Sequence, residues 1–167
     1  MDGDLLRVLE DKPADWSREA PATEDTIQGL IRDTGIDFPE EYLNLLRYSN
    51  GGEGELGVDP LWFSIYPVEE VVELNRRYDI ESYLPGYFAF GSNMGGEALL
   101  FDTKESKPWK VYYAPIIGME EDQVLECAAN FKEFVRSMGR PSPKTEHETE
   151  VTPTNAEQWL KRQGPLP

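Results

Sequence analysis

Carboxylates beside glycines are the residues of this sequence whose types and spacing could support chemistry. The segment NGGEGELG at 50–57 carries Glu53 and Glu55, Glu97 follows a glycine pair, and Asp102 ends an apolar run. Two carboxylates about 5 to 10 Å apart can act as the acid and base of glycoside hydrolysis, so a carboxylate enzyme is one open interpretation. The chain has 32 acidic residues, however, and such neighbours are expected from composition alone. A solvated or partner-facing surface is the competing interpretation, and we assign no catalytic residue.

The glycine-rich segment lacks the order of elements that a phosphate-binding loop requires. Such a loop follows a strand and opens a helix, so that backbone N–H groups face the anion. Here a predicted helix precedes the glycines, no Lys-Ser/Thr pair follows them, and Glu53 and Glu55 would repel phosphate. The acids also lack the spacing of an EF-hand calcium loop. The sequence therefore predicts no cofactor and no small-molecule substrate.

Nucleophilic and metal-dependent catalysis have few candidate residues. The single histidine, His147, lies in a polar connector between Glu146 and Glu148, and the single cysteine is Cys127. Nothing near Cys127 in sequence would lower its pKa, so a buried structural thiol is expected. A neighbouring EHE triplet does not by itself hold three side chains around a metal ion. We predict a non-enzymatic protein with no metal site.

The charge of the chain restricts its partners. Sixteen basic residues against 32 acidic residues give a net charge of −16, and residues 1–60 alone carry 15 acids and 5 bases. Recognition of nucleic acid or anionic lipid needs clustered Lys and Arg, so neither partner is expected. An acidic surface attracts a basic protein and speeds their encounter, although solubility alone is the simpler explanation. The partner-binding candidates are Glu53, Glu55, Asp59 and Glu97.

The chain shows no targeting or membrane signal. Its N-terminus has no basic segment followed by a long apolar one, and runs such as Ala98–Phe101 fall far short of the roughly 20 apolar residues of a membrane helix. One cysteine excludes an internal disulfide, which fits a reducing compartment. We expect a cytoplasmic protein.

Local signals predict helices at both ends of the chain and strands between them. Thr23 is a helix N-cap and Gly35 a helix stop, while Pro39 and Pro67 each open a helix. After the Pro39 helix, Asn50-Gly51 is predicted to supply a left-handed residue that stops it, so that Glu53 and Asp59 fall in one flexible turn. The remaining predicted elements are a short helix around 5–9, strands at 61–66, 87–90, 97–101 and 109–116, and a helix at 128–138. This order is typical of an α+β domain.

Two ordered motifs resemble the SUKH superfamily, which includes the fungal cell-wall-assembly regulator proteins and many bacterial immunity proteins. The resemblance covers about Thr23 to Met138. The residues that carry it are Pro39, Glu41-Tyr42, Leu43 to Leu46 and Asn50-Gly51-Gly52, then Gly91-Ser92-Asn93, Gly95-Gly96-Glu97 and Asp102.

The resemblance implies an α+β fold with a central, mostly antiparallel sheet flanked by helices, and it implies no enzyme activity. We divide the chain into an N-terminal helix with a polar lead-in (1–22), a SUKH-like domain (23–139), and a polar connector with a short helix after a Thr154-x-x-Glu157 capping box (140–167). The bacterial members neutralise polymorphic or contact-dependent toxins, often nucleases, by direct binding. A basic toxin is therefore the expected partner. The alternative is a regulatory or scaffold module that binds an endogenous protein.

Overall fold

A computed structural model describes residues 3–10 and 15–141 of the chain. The predicted helix after Thr154 and the residue His147 lie outside this described part. The helices are α1 (Gly3–Glu10), α2 (Glu24–Thr34), α3 (Glu40–Tyr48), α4 (Val68–Arg77), α5 (Ile80–Tyr83), α6 (Phe131–Ser137) and a 3-10 helix (Glu121–Gln123). The strands are β1 (Trp16–Ser17), β2 (Gly52–Glu55), β3 (Trp62–Ile65), β4 (Tyr87–Ser92), β5 (Glu97–Asp102), β6 (Val111–Pro115) and β7 (Leu125–Ala128). None of the described helices is both long and apolar enough to cross a membrane.

The seven strands form one antiparallel sheet in which every strand pairs with its neighbours in sequence, in the order β1 to β7. The predicted α+β fold with an antiparallel sheet is confirmed, as are the four predicted strands. Because the strands alternate in direction, the connections 56–61, 93–96 and 116–124 all lie at one end of the sheet, which we call the hairpin end. The connections 66–86 and 103–110 lie at the other end.

An aromatic core joins the sheet to α3 and α6. Phe90 of β4 stacks on Phe101 of β5 with ring centroids 4.5 Å apart. Tyr42 of α3 and Phe131 of α6 each meet both of these rings edge-on or tilted, with centroids 5.4 to 5.8 Å away. As the helical spacing predicted, the residues on the inner side of α3 are all buried, including Ser49 just beyond its end. This packing fixes one face of the sheet and leaves the connections at its ends free for other roles.

Asn75 of α4 takes the place of a missing strand beside β4. Strand β3 ends at Ile65, so the backbone of Ala89 has no strand partner on that side. The Asn75 side chain donates to the Ala89 carbonyl (2.7 Å) and accepts from the Ala89 N–H (2.8 Å). One amide thus satisfies both backbone groups of a buried residue, as a paired strand would.

The glycines after α3 do not stop the helix, so that prediction is wrong. The helix ends at Tyr48, and Ser49 is already extended with φ −151°. A Cβ on Gly52 would lie 2.6 Å from the Ser17 carbonyl oxygen, and one on Gly54 would lie 2.6 Å from the Trp16 Cβ. The glycines let β1 approach β2, so residues 52–55 form a strand where the sequence predicted a flexible turn.

Candidate functional site

Glu53 and Glu55 project from one face of β2. Gly54 between them is buried against Trp16, whereas both carboxylates are exposed. Their partners on β3 are Ser64 opposite Glu53 and Trp62 opposite Glu55. Cross-strand partners share a face, so these four side chains form one patch, which we call the β2–β3 face. No described residue forms an ion pair with either carboxylate.

A polar cleft of about 560 Å³ adjoins Glu53. Its lining includes Ser17, Glu19 and Asn50, so the carboxylate of Glu19 lies in the same cleft as that of Glu53. Asn50 itself is committed to the fold, because its side chain accepts from the Val68 N–H (2.8 Å) and donates to the Glu69 carboxylate (2.7 Å). It therefore caps the start of α4. The two carboxylates of the cleft, Glu19 and Glu53, suit a cationic side chain of a partner.

Asp59 and Glu97 both act on the ionisation of Tyr113. Burial raises the pKa of the Tyr113 hydroxyl, and the negative charges of Asp59 and then of Glu97 raise it further. Asp59 belongs to the β2–β3 connection and is exposed, whereas Glu97 begins β5 and is half-buried. The fold therefore places both predicted acids within electrostatic reach of one tyrosine.

Glu97 also holds the β4–β5 turn. The Asn93 side-chain oxygen accepts from the N–H groups of Gly95 and Glu97, both at 2.9 Å, and the Asn93 amide donates to the Glu97 carboxylate at 3.1 Å. One oxygen of Glu97 is thus engaged within the turn. The second SUKH motif thus forms the tip of the β4–β5 hairpin, where Met94 is exposed.

The structure separates Glu97 from Asp102, one pair of carboxylates that a carboxylate enzyme could have used. Glu97 and Asp102 lie at opposite ends of β5, and their odd spacing puts them on opposite faces of the sheet. Asp102 is buried, and its carboxylate accepts a hydrogen bond from the backbone N–H of Lys104 at 2.9 Å. Of the four predicted partner-binding acids, Glu53 and Glu55 share one face of β2, and Asp59 and Glu97 each affect Tyr113. The sequence interpretation missed Trp62: the pattern LWFSIY predicted its strand, but its place opposite Glu55 depends on β2, which was predicted as a turn.

Cys127 lies on β7 and is half-buried. Burial raises the pKa of its thiol to about 12, with a further contribution from the charge of Asp59. The thiol is therefore protonated at neutral pH and has little nucleophilic character. Within residues 3–10 and 15–141, no group of three His, Cys, Asp or Glu side chains is arranged to hold a metal ion.

The sequence profile of the SMI1 / KNR4 family (SUKH-1) matches residues 21–137, which include both motifs and most of the described fold. The chain belongs to this family. The SUKH resemblance of the sequence is therefore confirmed. A search of curated proteins gave no match. SUKH-1 proteins are generally non-catalytic and generally bind protein partners.

In this SUKH-1 protein, the motif residues serve the fold. Asn50 caps α4, Gly52 admits β1, and Asn93 shapes the β4–β5 turn. Glu53, Glu55 and the hairpin-end connections lie within the matched range, but Trp16 lies outside it. The motif residues thus shape the backbone that carries the exposed side chains of the β2–β3 face and of the hairpin end.

Proposed function

We propose that this SUKH-1 protein is an immunity-type protein that binds a basic toxin domain and blocks it without catalysing a reaction. The observation that carries the proposal is the β2–β3 face, where Glu53 and Glu55 are exposed beside Trp62 and have no ion-pair partner among the described residues. A toxin that cleaves nucleic acid must present Lys and Arg to its substrate. Acidic side chains can cover those cations and exclude the substrate.

The overall charge supports the same partner. With 32 acidic and 16 basic residues, the protein attracts cationic surfaces over a long range and speeds their association. A regulatory or scaffold module with an endogenous partner is the alternative, and nothing in its task requires this excess of acids. The proposal places the protein in the cytoplasm, where a toxin that reaches nucleic acid must be neutralised.

The test is co-expression with toxin domains encoded beside its gene, read out as growth and as formation of a purified complex. We expect one such domain to be neutralised and to bind at a rate that falls steeply with salt. The Glu53→Lys/Glu55→Lys variant should slow association, whereas Glu70→Lys/Glu73→Lys on the exposed side of α4 changes the net charge equally and is the matched control. Absence of neutralisation by any neighbouring toxin, together with a stable complex with a housekeeping protein, would favour the alternative.

A further inference from the structure

Exposed apolar side chains are concentrated at the hairpin end. Within the described residues, six large apolar side chains are exposed, and only Tyr83 of α5 lies at the other end of the sheet. The other five lie in or directly beside the three hairpin-end connections: Leu61, Trp62, Met94, Ile117 and Leu125. Ile117 and Met94 are 91% and 69% exposed. The antiparallel order of the strands brings these five side chains, which are scattered in sequence, to one end of the molecule.

Hydrogen bonds hold these side chains on ordered backbone. Leu61, at φ 71°, donates its N–H to Val58 (2.8 Å) and accepts from the Leu56 N–H (2.9 Å). Ile116, next to Ile117, donates to the Gly96 carbonyl at 2.8 Å and so ties the third connection to the second. Side chains already held in place lose less conformational entropy on binding than those on unstructured loops.

The hairpin-end connections carry charge of one sign, and Arg140, which packs beside Gly57, is a basic residue next to the first of them. The hairpin-end connections contain no Lys or Arg, and they include Asp59 and the acidic run Glu120–Asp122. Glu55 and Glu97 flank the first two connections. No described residue forms an ion pair with any of these acids.

The other end of the sheet is different. Its 103–110 connection carries Lys104, Lys107 and Lys110, and each of these lysines is paired with an acid at 2.8 to 3.2 Å. The acids of the hairpin end are therefore unpaired among the described residues, whereas the lysines of the 103–110 connection are paired. A second copy of this chain does not fit the patch, because two acidic rims would face each other.

We propose that the hairpin end is the contact surface for a partner protein whose own surface has an apolar centre ringed by Lys and Arg. This inference rests on the proposed function and deepens it, because it adds apolar contacts to the acids of the β2–β3 face. Buried apolar anchors at the centre of an interface supply most of its affinity. The acids set the association rate and the orientation of the partner.

The first test uses a toxin domain that the protein neutralises. Met94→Ser and Ile117→Ser should each weaken binding by roughly tenfold, mainly through faster dissociation. Tyr83→Ser removes the exposed aromatic side chain at the opposite end and should leave affinity unchanged. Unchanged affinity of the Met94→Ser/Ile117→Ser variant, while Glu53→Lys/Glu55→Lys still slows association, would overturn the inference and leave the proposed function intact.

The second test does not depend on a toxin. A peptide of alternating Trp and Lys is titrated into the isotope-labelled protein, with a peptide of alternating Trp and Glu as control. We expect saturable amide shifts from the Lys peptide alone, confined to the hairpin-end connections. Shifts centred on α5, shifts from both peptides, or no saturable shift would overturn the inference. If no toxin is neutralised but the Lys peptide binds as expected, the proposed function fails and the surface stands.

Discussion

The Asp59 carboxylate raises the pKa of the Tyr113 hydroxyl, although β4 and β5 separate β3 from β6 in the sheet. Neighbouring strands are about 4.8 Å apart, so the charge of Asp59 acts on Tyr113 from beyond its own strand pair. Asp59 also raises the pKa of the Cys127 thiol on β7. The β2–β3 connection therefore acts electrostatically on both β6 and β7.

This relationship predicts the titration of Tyr113. Asp59→Asn removes a negative charge that opposes ionisation, so the pKa of Tyr113 should fall, and adding Glu97→Gln should lower it further. Burial is the larger cause, so the pKa should stay above the ordinary value of about 10. The ring resonances of Tyr113, followed by NMR from neutral to alkaline pH, measure the effect. Glu73→Gln is the control. An unchanged pKa of Tyr113 in Asp59→Asn would show that the Asp59 carboxylate does not lie close enough to affect this tyrosine.

Removing the Tyr42 hydroxyl should stabilise the protein. Tyr42 is fully buried, and its hydroxyl has no hydrogen-bond partner among the described residues. Tyr42→Phe keeps the ring contacts and should raise the free energy of unfolding by about 1 kcal/mol. Tyr112→Phe is the matched comparison: the Tyr112 hydroxyl donates to Glu105, so its loss should destabilise. Urea denaturation measures both, and a destabilised Tyr42→Phe variant would show that the hydroxyl is satisfied.

Alkaline pH should lower the stability of the protein, because the folded state keeps tyrosine hydroxyls from ionising. Burial raises the pKa of Tyr42 and of Tyr112 well above their usual range. Above pH about 10 the unfolded chain releases tyrosine protons that the folded chain keeps, so the free energy of unfolding falls as pH rises. The stability contributed by these groups is fully present below pH about 10. Urea midpoints measured from pH 8 to 11 should decline at the upper end, and Tyr42→Phe should reduce that decline.

Gly54 should not tolerate a side chain. The Cβ of Gly54→Ala would lie 2.6 Å from the Cβ of Trp16 and 3.0 Å from its Cα, so β1 must move. We expect a loss of about 1 to 3 kcal/mol in the free energy of unfolding. At Gly95 the nearest atom to an added Cβ is the side-chain amide of Asn93 at 3.4 Å, so Gly95→Ala should cost less than about 0.5 kcal/mol. Equal losses of stability at the two positions would contradict the packing of Trp16 against Gly54.

Replacing Asn75 with an apolar residue should lower the stability of the protein. Asn75→Leu keeps the size of the side chain but leaves the N–H and C=O of Ala89 without their partner. Each unpaired buried group costs about 1 to 3 kcal/mol. Thermal unfolding of this variant should show a clear loss, while Arg76→Leu, at an exposed position next to it, should show almost none. Hydrogen exchange at the Ala89 amide should accelerate only in the Asn75 variant.

Sequence alone predicted the elements whose signals are local. Thr23 and Gly35 bound α2 as expected, with the Thr23 hydroxyl accepting from the Thr26 N–H and Gly35 left-handed at φ 65°. Strands β1, β2 and β7 were not predicted. The extended path of β2 depends on Trp16, which is remote in sequence and packs on Gly52 and Gly54. A glycine's neighbours in space cannot be read from its neighbours in the chain.

The candidate site was predicted in part for the same reason. Residue type alone singled out Glu53 and Glu55, and their shared face appears only once β2 is a strand. The apolar half of the surface was not predicted, because Met94 and Ile117 are ordinary core residues by type. Their exposure comes from the Asn93 turn and from the bond between Ile116 and Gly96.

The order of the strands separates the part of this protein that must stay constant from the part that can change. Strand register is set by backbone pairing and by the core. Leu56 and Met119 of the hairpin-end connections belong to that core, and Leu56 also bridges to Met138, but the exposed tips of the connections carry no strand pairing that fixes the sheet. Substitutions or extra residues at these tips therefore leave the scaffold intact. Recognition can diversify there by small steps, and the same tips are the natural positions at which to engineer binding to a new partner.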